Sequence, residues 1–211
     1  MLLRRRENLD TQSLPSEWPE LLKQVYARRG VKSAADVERR AQALLPFQGL
    51  QGMNDAVALL IDSLMRRKQV LIVGDFDADG ATSTALLMAG LPQFGFSKVD
   101  FLVPNRFEYG YGLSPEIVEL AAAKGAELII TVDNGISSIS GVAKAKQLGI
   151  PVLITDHHLP GEQLPQAAAI VNPNLSDCAF PSKNLAGVGV AFYLLVALRS
   201  EMRQQNLFDI A

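Results

Sequence analysis

Three short, almost uninterrupted apolar runs do most to limit the folds open to this sequence. They read QVLIVG, ELIITV and PVLIT, and they begin at residues 69, 127 and 151. Runs rich in Val, Ile and Leu are typical of strands buried on both faces of a parallel sheet, and parallel strands need crossover connections, usually helices. We therefore expect an α/β fold, with an open, mainly parallel five-stranded sheet and helices on both of its faces.

The rest of the sequence alternates between strand and helix patterns as this fold requires. The predicted strands cover residues 69–75, 98–103, 127–132, 151–155 and 168–171. The predicted helices cover residues 54–67, 81–92, 115–124, 138–148 and 186–204. Ser114 and Pro115 begin one of these helices, and Gly125 and Gly149 follow two others at the position where glycine is favoured.

The first 50 residues have a different pattern, which predicts a small helical N-terminal segment at 1–50 before an α/β domain at 51–211. Two amphipathic helices are expected within this segment, at residues 17–29 and 34–45. Ser16 and Ser33 are their predicted N-caps.

The composition is that of an ordinary globular protein. The sequence is 48% hydrophobic and 20% charged. It has no apolar stretch near the roughly 20 residues of a membrane span and no pattern of a secretory signal. The single cysteine, Cys178, cannot form an internal disulfide, which is typical of a reducing compartment. We expect a cytoplasmic protein.

The charge distribution argues mildly against binding of nucleic acid by the chain alone. The net charge is −2, and residues 51–211 carry 11 Lys and Arg against 16 Asp and Glu. Proteins that bind nucleic acid through counterion release usually carry a basic surplus. Bound divalent cations would reverse the local sign of the charge.

Polar side chains follow each of the first four predicted strands. The segments are Asp75-Phe76-Asp77-Ala78-Asp79-Gly80, Asn105-Arg106, Asp133-Asn134-Gly135 and Asp156-His157-His158. Ligands bind beyond the carboxyl ends of the strands in open parallel sheets, and these ends all lie on one edge. We therefore expect five aspartates and both histidines of the chain to converge there.

Such a cluster of acids predicts bound cations. Like charges this close destabilise one another unless a cation or a proton is shared among them. Carboxylates and imidazoles suit Mn²⁺ or Mg²⁺ better than a structural zinc. Because there are too many carboxylates for one ion, we predict two ions about 3.5–4 Å apart with a bridging carboxylate, an arrangement that serves in-line attack on phosphorus. Asp133, central in the order of strands, is the bridging candidate.

Each motif also has another interpretation. The Asp-x-Asp-x-Asp-Gly segment could be a turn-rich loop or a calcium loop, although Met88 rather than Glu occupies the twelfth position counted from Asp77. Asp133-Asn134-Gly135 is by itself a common turn signal. DADGAT is also similar to the first motif of the haloacid-dehalogenase phosphatases, in which an aspartate is the nucleophile, but that interpretation leaves both histidines without a role.

Four segments, taken in order, resemble the successive motifs of the DHH phosphoesterases: DFDADG, NRFEYGYGLS, TVDNGISS and TDHHLP. Within this family the sequence is similar, over nearly its whole length, to bacterial exonucleases specific for single-stranded DNA. The resemblance implies a hydrolase that binds Mn²⁺ or Mg²⁺ and degrades single-stranded DNA from its 5′ end in recombination and repair. It also implies protein partners in that process, such as a helicase or a single-strand-binding protein.

The same resemblance implies roles for individual residues. The implied metal ligands are Asp75, Asp77, Asp79, Asp133 and His157. The implied catalytic residues are Asp77, Asp79, Asp133, His157 and His158. Asp133 would bridge the two ions and His158 would lie close to the scissile phosphate. Asp156 would orient a histidine ring from outside the shell of ligands.

The implied contacts with DNA are Asn105, Arg106, Tyr109, Tyr111, Gly187 and Gly189. Arg106 resembles a phosphate-contacting arginine of the family, with a surface ion pair as the alternative. Tyr109, Tyr111 and the neighbouring Phe107 could stack on unpaired bases or pack their loop against the core. The GVGVAF segment at 187–192 begins a helix whose N–H groups could receive a phosphate, although close packing of small residues explains it nearly as well.

In the family, a further metal-binding aspartate and a second domain follow the last of these helices. Neither Asp177 nor Asp209 stands in a matching context. The resemblance therefore implies that residues 51–211 are a DHH catalytic domain without its C-terminal part, with an incomplete shell of ligands and little or no activity of its own. Two alternatives stay open. One is a DHH enzyme that hydrolyses pyrophosphate, cyclic dinucleotides or short oligonucleotides. The other is a binding module that a metal ion stabilises and that catalyses no reaction.

Overall fold

The computed structural model of the chain describes residues 9–38 and 40–210. The chain divides into two compact units, with the boundary between Leu45 and Pro46. In the first unit, helix α1 spans Glu20–Ala27 and two 3₁₀ turns span Ala34–Val37 and Ala41–Ala43.

The two helices predicted for the N-terminal segment are only partly present. Helix α1 begins at Glu20 rather than after Ser16, because the ring of Pro19 disfavours helical geometry in the residue before it. The helix predicted at 34–45 is wrong, since the backbone is extended at Glu38 and Arg40 between the two 3₁₀ turns. Neither turn buries a residue, so neither gains the packing that stabilises most short helices. Ser33 is the N-cap of the first turn, as predicted.

The second unit holds a sheet of five parallel strands, so the predicted fold class is confirmed. The strands are β1 Val70–Gly74, β2 Val99–Leu102, β3 Leu128–Val132, β4 Val152–Thr155 and β5 Ala169–Val171. The helices are α2 Met53–Met65, α3 Ala78–Gln93, α4 Arg106–Tyr109, α5 Pro115–Ala123, α6 Ile139–Gln147 and α7 Gly187–Gln204. Further 3₁₀ turns span Phe47–Gly49 and Leu207–Ile210. None of the helices in the described part of the chain is long and apolar enough to span a membrane.

Alternate side chains of the strands pack against helices on opposite faces of the sheet. Leu71, Val73 and Ile129 are buried in one cluster with residues of α5 and α6. Val70 and Ile72, which have the opposite orientation, are fully buried in strand β1, which contacts α3. On that side α7 packs against both α2 and α3. Burial on both faces explains why the strands read as continuous apolar runs.

The strand order is β2-β1-β3-β4-β5. The chain leaves β1 toward β2 on one side and returns to β3 on the other, so the crossover connections diverge between β1 and β3. Such a switch point opens a crevice at the carboxyl ends of the strands, where α/β proteins bind their ligands. Asp75 follows β1 and Asp133 follows β3, so both lie at this crevice.

Candidate metal centre

The loop after β1 is organised by its own carboxylates. The Oδ1 atom of Asp77 accepts hydrogen bonds from the backbone N–H groups of Asp79 (3.0 Å) and Gly80 (2.9 Å), which makes Asp77 the N-cap of α3. An aspartate in this position satisfies N–H groups that have no partner within the helix. This cap explains why α3 begins at Ala78, three residues before the predicted start at 81. Asp75 is 9% exposed, and its Oδ1 accepts the N–H of Phe76 (2.8 Å).

Asp79 connects the first turn of α3 to the first turn of α7. Its Oδ2 accepts the N–H of Gly187 and its Oδ1 accepts the N–H of Val188, both at 2.7 Å. The N-terminus of a helix carries a partial positive charge, so both helices stabilise the negative charge of this side chain.

Asp133 lies at the centre of the site. Its backbone has a left-handed φ of +60°, and the residue is 1% exposed. Its buried Oδ1 atom accepts no hydrogen bond within the described part of the chain, and Nε2 of His157 lies 3.0 Å from it. A buried carboxylate oxygen without a hydrogen bond is costly, and a bound cation would satisfy it.

Gly187 allows α7 to approach this carboxylate. A Cβ atom built on Gly187 would lie 2.6 Å from Oδ1 of Asp133 and 2.9 Å from its Cβ. Only glycine fits so close to the side chain without a shift of one of the two segments.

The surroundings of Asp133 disfavour its ionised form. Burial, together with the negative charges of Asp79 and Asp77, raises the pKa of Asp133 from 3.8 to about 7. Near neutral pH the metal-free site therefore holds a proton part of the time, and a cation can replace that proton.

The two histidines have different surroundings. Nε2 of His157 faces the carboxylates, 3.0 Å from Oδ1 of Asp133 and 3.6 Å from Oδ2 of Asp79. Nδ1 of His158 lies 2.7 Å from Oδ1 of Asp156, which assigns the proton of a neutral ring to Nδ1 and leaves Nε2 as an acceptor. Burial lowers the pKa of His158, but the hydrogen bond to Asp156 and the nearby carboxylate charges outweigh it, so the pKa is raised overall.

Asp156 is a buried residue that forms hydrogen bonds with both histidines. It is 1% exposed. Its Oδ1 also accepts the backbone N–H groups of His157 (2.7 Å) and His158 (3.1 Å), and its Oδ2 accepts the N–H of Ile136 (2.9 Å). With both oxygens engaged in this way, Asp156 orients the ring of His158 rather than facing the crevice.

Two groups of possible metal ligands share Asp133. One contains Asp75, Asp77 and Asp133, and the other contains Asp133, His157 and His158. Within each group the ligand atoms lie within 4.8 Å of one another. Among the described residues, Asp79 belongs to neither group, and its oxygens accept the N–H groups of Gly187 and Val188. Carboxylate oxygens and imidazole nitrogens around an orphaned buried oxygen fit a hard divalent cation.

A family model for the DHH family, N-terminal domain, matches residues 69–211. The chain belongs to the DHH family. The matched range begins just before β1 and includes every residue of the two ligand groups.

Among curated DHH relatives, the single-stranded-DNA-specific exonuclease RecJ of Escherichia coli is 59% identical over 207 residues. This match covers 98% of the present chain and 36% of that protein. RecJ of Thermus thermophilus is 37% identical over 177 residues, which is 84% of this chain and 25% of that protein. The chain thus spans about a third of the length of the curated relatives that it matches over nearly its whole length.

Solved DHH structures have the same fold. A crystal structure of exonuclease RecJ bound to manganese superposes with a TM-score of 0.68 at 36% identity, over 75% of this chain and 40% of that one. RecJ from Thermus thermophilus in complex with Mn²⁺ gives a TM-score of 0.68 at 33% identity, over 87% of this chain and 26% of that one.

The residues predicted to contact DNA have varied surroundings in this DHH domain. Asn105 caps α4, with its Oδ1 accepting the N–H of Phe107 (3.1 Å). Tyr109 packs against the core cluster, whereas Phe107 is fully exposed. The side chain of Arg106 lies outside the described part of the structure, so its phosphate contact stays a prediction.

Tyr111 combines an exposed ring with an anchored hydroxyl. The residue is 44% exposed, and its hydroxyl donates to the carbonyl oxygen of Asp133 (3.1 Å) and lies 3.4 Å from Nδ1 of His158. The ring meets that of His158 edge to face, with 6.0 Å between centroids. Tyr111 therefore supports the candidate metal centre, whether or not its ring contacts a base.

The N-terminus of α7 does not offer free donors to a phosphate in this structure. The N–H of Gly187 is bound to Asp79, and the N–H of Gly189 donates to the carbonyl of Ala186 (2.9 Å). A Cβ atom on Gly189 would lie 2.5 Å from Cδ1 of Leu185. The alternative interpretation of this segment, close packing through small residues, matches the geometry better.

Three asparagines that sequence reasoning did not assign also hold the site together. Nδ2 of the buried Asn134 donates to the carbonyls of Val73 (3.1 Å) and Val132 (2.9 Å), which ties the ends of β1 and β3 together. Asn172 and Asn174 contact the backbone of the two histidines. Asn172 follows β5 as the aspartates follow the earlier strands, so the same strand-end rule could have identified it.

Proposed function

We propose that this chain carries the catalytic metal centre of a 5′ to 3′ exonuclease for single-stranded DNA. The observation that carries the proposal is the sharing of Asp133 between two groups of ligand atoms. A buried carboxylate between two groups is what a pair of bridged cations requires. The similarity to RecJ exonucleases supports the choice of substrate.

The proposed cations are Mn²⁺ or Mg²⁺. The carboxylate and imidazole set of the two groups suits these ions. Related RecJ crystal structures contain one or the other. Such a pair, when bound, lowers the pKa of a water molecule and stabilises negative charge on phosphoryl oxygens.

In this proposal different residues of the chain hold the two cations. Asp75 and Asp77 would help to hold one ion and His157 the other, and Asp133, which belongs to both groups, would contribute to both. Asp79, although bound to α7, keeps lone pairs on both oxygens that can complete the shell.

His158 acts on the substrate side of the centre. Asp156 holds its Nδ1 at 2.7 Å, which presents the other side of a half-exposed ring to the crevice. The raised pKa favours the imidazolium form, which can bind a phosphate oxygen. The scissile phosphate is thus the proposed contact of His158.

The exposed aromatic residues and Arg106 favour a polymer over a small substrate. Phe107 and Tyr111 offer rings to unpaired bases, a mode of binding that tolerates any sequence. An enzyme of this kind would work in recombination and repair in the cytoplasm, on strands exposed by a helicase or bound by a single-strand-binding protein.

The haloacid-dehalogenase alternative is disfavoured by the position of the histidines. That mechanism has no use for an imidazole in the site, whereas Nε2 of His157 lies 3.0 Å from Asp133. The alternative also requires a covalent aspartyl-phosphate, which acid-quenched labelling would detect.

The proposal is tested with 5′-labelled single-stranded DNA and Mn²⁺ on the purified full-length protein that contains this chain. We expect release of 5′ mononucleotides, and a loss of at least about 100-fold in kcat for Asp133→Asn and for His157→Ala. Asp177→Asn is the matched control, because its exposed carboxylate lies between β5 and α7. Full turnover in either site variant would refute the proposal. Hydrolysis of cyclic dinucleotides or pyrophosphate, but not of DNA, would favour another DHH enzyme.

A further inference from the structure

We propose that Asn172 and Asn174, here called the asparagine clamp, are positioning residues for the two histidines of the candidate metal centre. The inference rests on the proposed function of that centre. The clamp lies directly after β5, at the same edge of the sheet as the metal ligands.

Each clamp residue holds the carbonyl of one histidine. Nδ2 of Asn172 donates to the carbonyl oxygen of His158 (2.9 Å), and Nδ2 of Asn174 donates to that of His157 (2.6 Å). The two asparagines are also joined, since Oδ1 of Asn172 accepts the N–H of Asn174 (2.8 Å). Asn172 is fully buried, so its amide has no water to replace a lost partner.

The clamp completes the support of a segment that has no regular secondary structure. His157 and His158 follow the end of β4, and neither belongs to a helix or a strand. Asp156 accepts hydrogen bonds from their N–H groups, and the clamp donates hydrogen bonds to their carbonyl oxygens. With both ends of these residues held by side chains, the ring of His157 is fixed against Asp133.

The segment that connects β5 to α7, which contains the clamp, also supports the aspartates. Nδ2 of Asn174 donates to the carbonyl of Lys183 (3.2 Å), and Nζ of Lys183 donates to the carbonyls of Pro173 (2.6 Å) and Cys178 (2.7 Å). Four residues later the chain reaches Gly187, whose N–H binds Asp79. The connection from β5 to α7 therefore links the histidine half of the site to the aspartate half.

A positioning role makes a prediction that a purely structural role does not. Support of this kind around a metal ligand is typically worth 10- to 100-fold in metal affinity or activity. Loss of the clamp should therefore raise the Mn²⁺ concentration needed for half-maximal binding, and excess Mn²⁺ should restore part of the lost activity. A residue that only stabilises the fold would lower the melting temperature without changing the dependence on Mn²⁺.

The test compares wild type, Asn174→Ala and Asn184→Ala, the last being an exposed asparagine of the same connection. Calorimetric titration with Mn²⁺ and thermal unfolding in EDTA are measured for each. For Asn174→Ala we expect an Mn²⁺ affinity about 10-fold or more below wild type, a fall in kcat and little change in KM for single-stranded DNA. Asn184→Ala should match wild type.

A second variant covers the case in which Asn174→Ala does not fold. Lys183→Met removes the amine that donates to the carbonyls of Pro173 and Cys178, and we expect it also to weaken Mn²⁺ binding. Wild-type Mn²⁺ affinity in the folded variants would overturn the inference. Failure of the full-length wild-type protein itself to bind Mn²⁺ or to cleave DNA would instead overturn the proposed function.

Discussion

The carboxylate of Asp79 accepts a hydrogen bond of 2.7 Å from the backbone N–H of Gly187, at the first residue of α7. The side chain thus joins two helices at their positive ends and holds the last helix over the acidic loop. This contact explains how α7, which is distant in the sequence, takes part in the site.

Substitution of Asp79 by Asn should destabilise the metal-free protein. The variant loses charge-assisted hydrogen bonds to Gly187 and Val188, although it also relieves repulsion with Asp133. We expect a net loss of about 1–2 kcal/mol in the free energy of unfolding, measured by urea denaturation in EDTA. Asp177→Asn, at an exposed site, should change little. A free energy equal to or above that of wild type for Asp79→Asn would contradict the expected net loss.

Gly187→Ala tests the close approach of α7 to Asp133. Alanine is favoured over glycine within a helix by about 1 kcal/mol, but its Cβ atom would lie 2.6 Å from Oδ1 of Asp133. We expect the clash to prevail, with a net loss of about 1–3 kcal/mol in stability and weaker Mn²⁺ binding by calorimetry. Gly161→Ala is the control, since its nearest neighbour would be 3.9 Å away. A more stable variant with unchanged Mn²⁺ affinity would contradict this account.

The stability of the metal-free protein should fall as the pH rises. Asp133 has a pKa of about 7 in the folded protein and an ordinary value of 3.8, so between these values the folded state binds a proton that the unfolded state lacks. The raised pKa of His158 acts in the same direction, because its contribution is present below pH 6.5 and is lost above it. A pKa that differs by 1 between the folded and unfolded states corresponds to about 1.4 kcal/mol of stability.

Thermal unfolding from pH 5 to pH 8 in EDTA measures this dependence, because the carboxylates whose pKa is lowered titrate below this range. The melting temperature should decrease across the range, and Asp133→Asn should flatten the decrease. Saturating Mn²⁺ should also flatten it, because the cation replaces the proton. Stability that rises from pH 5 to pH 7 in EDTA would contradict a raised pKa of Asp133 in the metal-free protein.

Tyr111 allows its two possible contributions to be separated. Tyr111→Phe removes the hydroxyl that donates to Asp133 but keeps the ring, so we expect a kcat lowered about 5-fold with KM unchanged. Tyr111→Ala also removes the ring and should raise KM for single-stranded DNA, since stacking is worth about 1–3 kcal/mol per base. Steady-state kinetics on an oligonucleotide distinguishes the two. If the Phe variant equals wild type, the hydroxyl does not support the site.

The strands and the convergence of polar residues could be predicted, because both depend on strong local patterns. Every predicted strand agrees with the observed one to within one residue at each end, since strands buried on two faces leave little choice of residue type. The rule that ligands bind at strand ends brought Asp75, Asp133 and His157 together from the sequence alone.

What could not be predicted depends on contacts between distant residues. Gly187 must lack a Cβ atom only because the side chain of Asp133 lies next to it. Nothing in the sequence indicates that these two residues are close. The clamp contact from Asn174 to His157 is likewise visible only once β4 and β5 are paired. The predicted start of α3 at 81 is three residues late, because the metal-ligand pattern of this segment gives no sign that Asp77 is also the N-cap.

The positions of its segments along the chain also determine when, during synthesis, the centre can form. Its parts come from segments after β1, β3 and β4 and from the start of α7, so a ribosome must extrude more than half of the chain before they can meet. No early fragment contains a usable site. We therefore expect Mn²⁺ to bind only after these segments have packed together. The ion would then stabilise the folded domain and would not direct the first steps of folding.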